Sequence, residues 1–501
     1  MNNKIQIDNI NFSYLGKGEQ LKNINLGVSK GACCVIVGAS GCGKSTLTRV
    51  INGLVPSFFK GELRGKVSID GNDLTELKSW QISQLVGNVF QDPRSQFFAN
   101  EVAGEIAFGC ENAGLEHAEI VQNVHRAAAE MGIEALLNTG ILTLSYGMRQ
   151  RVAICSAKAM QPDIYVFDEP SANLDLQSTY QFGKLIQALK DEGKTIVIVE
   201  HRLFYLKGIA DNYVFMQDGQ IVNNYTAAEL EQRSSKALND MGLRSLNLEN
   251  IALDLPTPAA TSNSSQFEVQ GITKKYDNAS LLADISFKFD KNEIIALVGC
   301  NGVGKSTLGK IFAGLQRENK GSVLLNGKSL SKKARVGKVW YIPQDLDSQL
   351  FGEDLVDELV TGLKNRETHV ARAEMLLKQL GLYELKERHP STLSGGQKQR
   401  LVLGVAMMRN VAVVILDEPT SGLDYNSMVQ VAKLIKRQRD LGTKFLIISH
   451  DVEFIAKSCE RVIAIDNGTI TEDYYLRAIT RLLNSLQCEQ VALNCSLSSR
   501  V

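Results

Sequence analysis

Two glycine-rich segments with identical spacing constrain this chain more than any other feature. GASGCGKST at residues 38–46 and GCNGVGKST at residues 299–307 both fit the pattern G-x-x-x-x-G-K-[ST]. Each follows a short apolar run, at residues 33–37 and 294–298, that is typical of a buried strand. A strand, a glycine-rich turn and a helix in this order wrap backbone N–H groups around phosphate oxygens. The sequence therefore predicts a nucleotide-binding loop, or P-loop, in each half.

Each residue type in these loops fits one task. Glycines let the backbone approach the phosphates, the lysine reaches the terminal phosphates, and the following hydroxyl is a ligand for Mg²⁺. The N-terminus of the helix behind the loop adds its positive dipole end. The predicted nucleotide-binding residues of the loops are Gly38, Ser40, Gly41, Gly43, Lys44, Ser45 and Thr46 in the first half, and Gly299, Asn301, Gly302, Gly304, Lys305, Ser306 and Thr307 in the second.

The duplication extends beyond the loops to a carboxylate pair and a histidine. The tripeptide Asp-Glu-Pro at residues 168–170 recurs at 417–419, and His201 recurs at His450 after the same interval. The apolar runs IYVF and VVIL before the carboxylates are typical of fully buried parallel strands. We therefore predict that one domain is duplicated within the chain.

The carboxylates and histidines indicate a site that binds Mg²⁺ and directs water at a phosphate. The first carboxylate of each pair can hold Mg²⁺ with the P-loop serine, and the second can polarise a water that attacks phosphorus. The histidine, which is expected to end a strand, can reach the γ-phosphate. These predicted residues are Asp168 and Asp417 for the metal together with Ser45 and Ser306, Glu169 and Glu418 for the water, and His201 and His450.

Strands that alternate with helices in each half predict an α/β fold with a largely parallel sheet. Residues 255–266, LPTPAATSNSSQ, combine proline, serine, threonine and asparagine without apolar periodicity, as a linker does. We predict a first domain at residues 1–245, a linker at 246–266, a second domain at 267–485 and a C-terminal tail at 486–501.

Composition argues against several classes of protein. A chain of 501 residues with 44% hydrophobic content can bury two cores. Its formal net charge is zero and it has no long basic block, so no nucleic-acid partner is expected. The first residues form no signal pattern, and no apolar run reaches the roughly 18 residues that span a bilayer, so we expect a soluble chain that stays in the cytosol. The nine cysteines form no C-x-x-C pair and are expected to be reduced.

Two further segments carry a resemblance to a known family. LSYGMRQR at residues 144–151 and LSGGQKQR at 393–400 resemble the signature motif of ABC-type ATPases. The resemblance implies two ABC-type P-loop domains, each with a mainly parallel core sheet, an antiparallel β region and a helical subdomain. In that family two such domains pair and sandwich two ATP molecules, and each P-loop faces the partner's signature. The implied reaction is hydrolysis of ATP to ADP and phosphate, with Mg²⁺ as cofactor.

The same resemblance assigns residues outside the P-loops. The signature serine and glycine start a helix whose N-terminus points at the γ-phosphate, a glutamine in the Q-loop touches Mg²⁺, and a tyrosine stacks on adenine. The residues that match these roles are Ser394 and Gly396 for the Lys44 site, Ser145 and Gly147 for the Lys305 site, Gln91 and Gln344 in the Q-loops, Asp175 and Asp424 in the D-loops, and Tyr14 and Tyr276.

The first signature departs from the family pattern at two positions. Tyr146 stands in place of a glycine and Met148 in place of a glutamine. Because Ser145 and Gly147 are retained, we expect the Lys305 site to be altered but competent.

The segments that begin at the Q-loop glutamines resemble those of a narrower group. QDPRSQFFANEVAGEIAFG at residues 91–109 and QDLDSQLFGEDLVDELVTG at 344–362 resemble the Q-D/N-P-x-x-Q-[LF]-F stretch of energy-coupling factor transporter ATPases, although the second copy lacks the proline. That group imports vitamins, related small molecules and metal ions. The resemblance implies a transmembrane coupling subunit with arginine-bearing helices, a substrate-binding membrane subunit, and a peripheral position on the cytoplasmic face of the cell membrane. Five acids could meet those arginines or form a solvated helix face: Glu101, Glu105, Asp354, Asp357 and Glu358.

Three other classes are weighed against this interpretation. A soluble tandem ABC translation factor that acts on the ribosome would join its halves by a long, charged helical linker, whereas residues 255–266 are few and uncharged. A sugar-importer ATPase of this length usually lacks a working second P-loop lysine, whereas Lys305 is present. A DNA-repair ATPase would be expected to carry zinc-binding cysteine pairs. The sequence favours the transporter motor.

Overall fold

The computed structural model describes residues 3–16, 18–254, 266–276, 279–289 and 292–486. The chain divides into two compact units, Met1–Leu174 with Ser178–Asn247, and Asp175–Gln177 with Leu248–Val501. We call them the first and the second domain.

Two sheets build the first domain. A four-stranded antiparallel sheet has the order β2-β1-β4-β5, and a six-stranded sheet has the order β10-β9-β3-β8-β7-β6. In the six-stranded sheet only the β9–β10 pair is antiparallel. The described strands are β1 (Asn3–Tyr14), β2 (Glu19–Ser29), β3 (Cys33–Gly38), β4 (Gly61–Ile69), β5 (Asn72–Asp73), β6 (Val86–Val89), β7 (Ile164–Asp168), β8 (Thr195–Val199), β9 (Asn212–Gln217) and β10 (Gln220–Thr226).

Helices cover the six-stranded sheet and form a separate subdomain, in which α4, α5 and α6 pack on one another. The described helices of the first domain are α1 (Lys44–Ile51), α2 (Leu54–Ser57), α3 (Ser79–Leu85), α4 (Val102–Asn112), α5 (His117–Glu130), α6 (Tyr146–Ala159), α7 (Leu176–Asp191), α8 (Ala227–Glu231) and α9 (Ser235–Asp240).

The second domain repeats this topology. Its antiparallel sheet has the order β12-β11-β14-β15, and its six-stranded sheet has the order β16-β17-β18-β13-β19-β20 with one antiparallel pair, β19–β20. The described strands are β11 (Phe267–Tyr276), β12 (Ala279–Lys288), β13 (Ile294–Val298), β14 (Lys320–Leu325), β15 (Lys328–Ser329), β16 (Val339–Ile342), β17 (Val413–Asp417), β18 (Lys444–Ile448), β19 (Arg461–Asp466) and β20 (Thr469–Tyr475).

Its helices follow the same plan, and α12, α13 and α14 pack together as α4, α5 and α6 do. The described helices are α10 (Lys305–Phe312), α11 (Lys332–Arg335), α12 (Leu355–Val360), α13 (Val370–Gln379), α14 (Gly395–Arg409), α15 (Tyr425–Asp440), α16 (Val452–Ser458) and α17 (Ile479–Leu486). No helix among the described residues has both the length and the apolar character needed to cross a bilayer.

Apolar runs without alternation explain the central strands. All residues of β3, β8, β13, β17 and β18 are buried, as expected for parallel strands covered on both faces. Because parallel strands end at the same sheet edge, the segments that follow β3, β7 and β8 meet there, and the segments that follow β13, β17 and β18 meet in the second domain. These segments hold the P-loops, the carboxylate pairs and the histidines.

The α/β organisation predicted from the sequence is confirmed, with a mainly parallel core sheet, an antiparallel β region and a helical subdomain in each half. His201 and His450 do not end strands as expected, since β8 and β18 end two residues earlier at Val199 and Ile448.

The first part of the predicted linker carries buried apolar side chains, Leu246, Leu248 and Ile251. Residues 255–265 of that linker, and residues 487–501 of the predicted tail, lie outside the described part of the chain.

Candidate functional site

The first glycine of each P-loop is required by a close backbone contact. A Cβ atom on Gly38 would lie 2.2 Å from the carbonyl oxygen of Met216, and one on Gly299 would lie 2.2 Å from that of Ile465. Both glycines also have positive φ angles, 148° and 142°. Only glycine tolerates this combination, so the sequence pattern reflects the path of the loop itself.

The P-loop lysines begin the helices behind the loops and fold back over them. Lys44 Nζ donates to the carbonyl oxygens of Gly38 at 3.0 Å and Ala39 at 2.9 Å, and Lys305 Nζ makes the equivalent bonds at 2.7 and 2.8 Å. Both lysines are buried, and burial lowers the pKa of Lys305 against the opposing effect of Glu418 and Asp417. An ammonium group has three N–H donors, so each lysine can meet a phosphate oxygen while it holds the loop.

In the first domain the predicted metal ligands lie side by side. Ser45 Oγ donates to Asp168 Oδ1 at 3.1 Å. Burial, reinforced by the adjacent Glu169 charge, raises the pKa of Asp168 to about 6, against the opposing effects of the Ser45 hydrogen bond and of Arg49 and Lys44. A nearby cation would therefore stabilise the ionised form of this buried carboxylate.

The second domain adds a group that the sequence did not reveal. Tyr341 OH donates to Asp417 Oδ2 at 2.6 Å and is also hydrogen-bonded to the Ser306 side chain. Burial and the Asp417 charge raise the pKa of Tyr341 well above its usual value, so the phenol keeps its proton. The equivalent position three residues before the Q-loop glutamine is Asn88 in the first domain, where the side chain pairs with Asn52 instead. Tyrosine in a strand is common, so no motif could have identified it.

The glutamates after the aspartates have an uncommon backbone conformation. Glu169 and Glu418 have φ angles of 45° and 47°, in the left-handed region that costs a non-glycine residue free energy. Their N–H groups donate to Val199 O at 2.8 Å and Ile448 O at 2.9 Å. The two glutamates therefore share the same backbone conformation at equivalent positions of the two domains.

Each glutamate carboxylate is held by the side chains predicted to share its site. In the first domain Gln91 Nε2 donates to Glu169 Oε2 at 2.8 Å, and His201 Nε2 lies 3.3 Å from Glu169 Oε1. His201 also lies 3.5 Å from Ser40 Oγ of the P-loop. Gln91 therefore contacts the predicted base, a contact that the sequence did not predict.

The second domain repeats the histidine contacts beside an open pocket. His450 Nε2 lies 3.3 Å from Glu418 Oε1 and 3.0 Å from Asn301 Oδ1 of the P-loop. The pocket brings together most of the residues predicted for this site, and its lining is Leu281, Asn301, Gly302, Gly304, Lys305, Ser306, Thr307, Gln344, Asp417, Glu418 and Ile448.

The two predicted adenine-stacking tyrosines differ in their surroundings. Tyr14 is partly buried, and its hydroxyl lies 3.1 Å from Thr46 Oγ1 and accepts from Arg49 at 2.9 Å. Tyr276 is 48% exposed and hydrogen-bonded to Gln316, and Lys274 Nζ lies 5.0 Å from its ring centroid. Adenine stacking stays a prediction for both.

The signature residues start α6 and α14. Ser145 Oγ accepts from Met148 N at 3.4 Å, whereas Gln397 in the second signature accepts from Ser394 N at 2.9 Å. Methionine at position 148 cannot make this reciprocal bond. A Cβ on Gly396 would lie 2.7 Å from Ser427 Oγ, so this glycine is also required for packing.

Two of the five acids proposed to meet partner arginines have another role, and that expectation is wrong for them. Glu105 and Glu358 are only 2% and 3% exposed. Glu105 Oε2 accepts from the N–H groups of Phe98 and Ala99 at 2.8 and 2.9 Å, and Glu358 Oε2 makes the equivalent two bonds at 2.7 Å. These carboxylates shape the turn after each Q-loop.

The other three acids remain nearer the surface. Glu101 is exposed. Asp354 caps α12 by accepting from Asp357 N at 2.8 Å, and Asp357 pairs with Arg366 at 3.1 Å.

The side chains and loops of each site fit Mg²⁺ and a nucleoside triphosphate, the two groups that the sequence implies. A serine hydroxyl, an aspartate carboxylate and a glutamine amide are oxygen ligands of the type Mg²⁺ prefers, and the P-loop cradle leaves no room for a side chain at its first glycine. Mg²⁺ bound there would neutralise charge on the phosphates. The arrangement can hold a nucleoside triphosphate, orient a water through the glutamate and meet phosphate charge with lysine and histidine.

The fold and these sites define a chain with two P-loop nucleotide-hydrolase domains. The family model for ABC transporters matches residues 21–172 and 282–421. The chain therefore belongs to the ABC transporter family and is a tandem ABC ATPase that hydrolyses ATP. ABC domains bind ATP, in general together with Mg²⁺.

Relatives extend over nearly the whole chain. A Treponema denticola protein, named provisionally as an ABC transporter ATP-binding protein, is 40% identical over 474 residues, which are 94% of this chain and 96% of that protein. A Bacillus subtilis protein, named provisionally as an HMP/thiamine import ATP-binding protein, is 30% identical over 498 residues, 94% and 91% of the two chains. A structure titled as ribosome-bound archaeal Pelota and ABCE1 aligns with 95% of this chain and 80% of its own, with a TM-score of 0.68 and 22% identity, which shows a common fold.

Replacement of both glutamates by glutamine tests their role as bases. Glu169→Gln with Glu418→Gln keeps the lysines and loops, so ATP binding should persist, while phosphate release should fall about 100-fold or more, as expected for loss of a general base. Equilibrium dialysis with labelled ATP and a phosphate-release assay measure the two effects. Glu134→Gln with Glu384→Gln, on exposed turns, is the matched control. Substantial turnover in the double variant would show that another base acts.

Proposed function

We propose that the chain is the motor subunit of an energy-coupling factor type importer. It couples ATP hydrolysis to uptake of a vitamin, a related small molecule or a metal ion through separate transmembrane subunits. It acts at the cytoplasmic face of the cell membrane, where a coupling subunit and a substrate-binding subunit are its partners.

The observation that carries this proposal is a repeated aromatic turn after each Q-loop. Phe98 is 73% exposed and Phe351 is 76% exposed, at equivalent positions of the two domains. The buried carboxylates of Glu105 and Glu358 hold the backbone N–H groups of these phenylalanines. A turn that is held by backbone hydrogen bonds and exposes a large aromatic ring is a surface suited to a protein partner, and each of these rings follows the Q-loop glutamine by seven residues.

The name of the Bacillus subtilis relative supports the same proposal, since an import function is assigned to a protein that matches 94% of this chain. The ribosome-bound structure shares the fold at 22% identity and supports no function.

We further propose that the two domains pair within the chain. In this arrangement Ser394 and Gly396 complete the Lys44 site, and Ser145 and Gly147 complete the Lys305 site. ATP closes the pair, the glutamates direct water at the γ-phosphate, and product release reopens it and moves the membrane partner.

The signature serines should contribute unequally under this pairing. Ser394 has the regular motif and its backbone N–H donates to Gln397 Oε1 at 2.9 Å, whereas Met148 offers the N–H of Ser145 no such acceptor. We expect Ser394→Ala to lower ATP turnover roughly 10-fold, as for a lost hydrogen bond to a charged phosphate. Ser145→Ala should lower it less. Steady-state phosphate release of the two single variants measures this, and equal losses would contradict the asymmetry.

Recovery of membrane proteins tests the transport assignment. We expect the tagged chain, purified from its native membrane in mild detergent, to bring transmembrane proteins with it. Phe98→Ser with Phe351→Ser should reduce this recovery about 10-fold or more, because hot-spot aromatics contribute 2 kcal/mol or more each, and should leave ATP binding intact. Phe58→Ser is the control, since Phe58 is also 73% exposed but lies outside these turns.

Mass spectrometry of the co-purified proteins identifies the partner class. Ribosomal proteins in place of membrane proteins would overturn the transport proposal.

A further inference from the structure

Tyr146, the residue that breaks the first signature motif, contacts the Q-loop of its own domain. Its hydroxyl donates to the carbonyl oxygen of Gln91 at 2.7 Å. The side chain of the same Gln91 donates to Glu169 at 2.8 Å. Two consecutive hydrogen bonds therefore lead from the start of α6 to the carboxylate predicted to activate water.

The phenol also meets the loop that follows the carboxylate pair. The Asn173 side chain is hydrogen-bonded to Tyr146, and Asn173 lies four residues after Glu169. Burial raises the pKa of Tyr146 to about 12, against the opposing Asn173 hydrogen bond, so the hydroxyl keeps its proton at neutral pH. The ring packs against the core of the first domain, which fixes the hydroxyl in place.

The second domain lacks both members of this contact. Gly395 and Gly422 occupy the positions of Tyr146 and Asn173. Its signature helix meets the Q-loop segment through Lys398, whose Nζ lies 2.6 Å from Asp347 Oδ1, and Asp347 is 63% exposed. An ion pair this exposed contributes little. The hydrogen-bonded pair of Tyr146 and Asn173 therefore has no counterpart at the equivalent positions of the second domain.

We propose that Tyr146 is a positioning residue for the ATP site of its own domain: by holding the backbone of Gln91, it fixes the Gln91 side chain against Glu169. The proposal rests on the assignment of Glu169 as the base of the Lys44 site. Tyr146 would thus serve the Lys44 site of its own domain, whereas the neighbouring signature residues Ser145 and Gly147 are proposed to serve the Lys305 site.

The two sites can be assayed separately with the glutamate variants on the full chain. Glu418→Gln removes hydrolysis at the Lys305 site, so phosphate release then measures the Lys44 site alone. Glu169→Gln removes hydrolysis at the Lys44 site, so phosphate release then measures the Lys305 site. In the Glu418→Gln background Tyr146→Phe removes only the hydroxyl, and kcat should fall about fivefold, as expected for one lost hydrogen bond. The KM for ATP should stay unchanged because Lys44 and its loop are untouched. In the Glu169→Gln background Tyr146→Phe should have no effect.

Further variants separate positioning from stability. Asn173→Gly copies the second domain and should lower kcat in the same background. Gln91→Ala removes the link to Glu169, so Tyr146→Phe should cause no further loss when combined with it. Tyr225→Phe, whose hydroxyl accepts from Asn223 on the distant strand β10, is the matched control. Melting temperatures of all variants should agree with their parents.

Three results would overturn the proposal. The first is unchanged turnover of Tyr146→Phe in the Glu418→Gln background. The second is a loss confined to the Glu169→Gln background, which would show that Tyr146 acts through the signature alone. The third is a loss matched by a lower melting temperature, which would show a structural role. None of these assays uses a membrane partner, so failure of the transport proposal would leave their outcome intact.

Discussion

A backbone hydrogen bond between neighbouring strand ends holds each ATP site together. The N–H of Glu169 donates to the carbonyl of Val199 at 2.8 Å, and Glu418 makes the same bond to Ile448 at 2.9 Å. The bond ties the end of the aspartate strand to the histidine strand while the glutamate has a positive φ angle. This conformation brings the carboxylate to His201 or His450. The predicted base and the histidine therefore lie together at the edge of the sheet that also holds the P-loop.

The two domains share this frame and differ in the side chains that surround it. Tyr341 holds Asp417 in the second domain, where the first has a direct contact between Ser45 and Asp168. Tyr146 holds the Q-loop in the first domain, where the second has a glycine. Each of these two phenols has no counterpart at the equivalent position of the other domain, and the two lie on different parts of the site. The duplicated chain is a pair of unequal sites whose P-loops share one sequence pattern.

Much of the site could be predicted from the sequence because its residues are tied to backbone geometry. The P-loop glycines are fixed by their φ angles and close contacts, and the Asp-Glu pairs by the ends of buried apolar strands, so both appear as spaced motifs. Tyr341, Tyr146 and the Gln91–Glu169 contact could not be predicted, since each depends on which side chains the tertiary fold brings together. The buried roles of Glu105 and Glu358 were missed for the same reason, because a carboxylate that binds backbone N–H groups looks like a surface acid in the sequence.

The central proposal is that one chain contains two ATP sites, each completed by the other half. Native mass spectrometry of the Glu169→Gln, Glu418→Gln variant with Mg²⁺ and ATP tests it most directly. The account predicts a monomer of the 501-residue chain that retains two ATP molecules, and retains both less completely when Ser145→Ala and Ser394→Ala are added. A dimer of chains formed on addition of ATP, or a monomer that retains a single ATP, would contradict it.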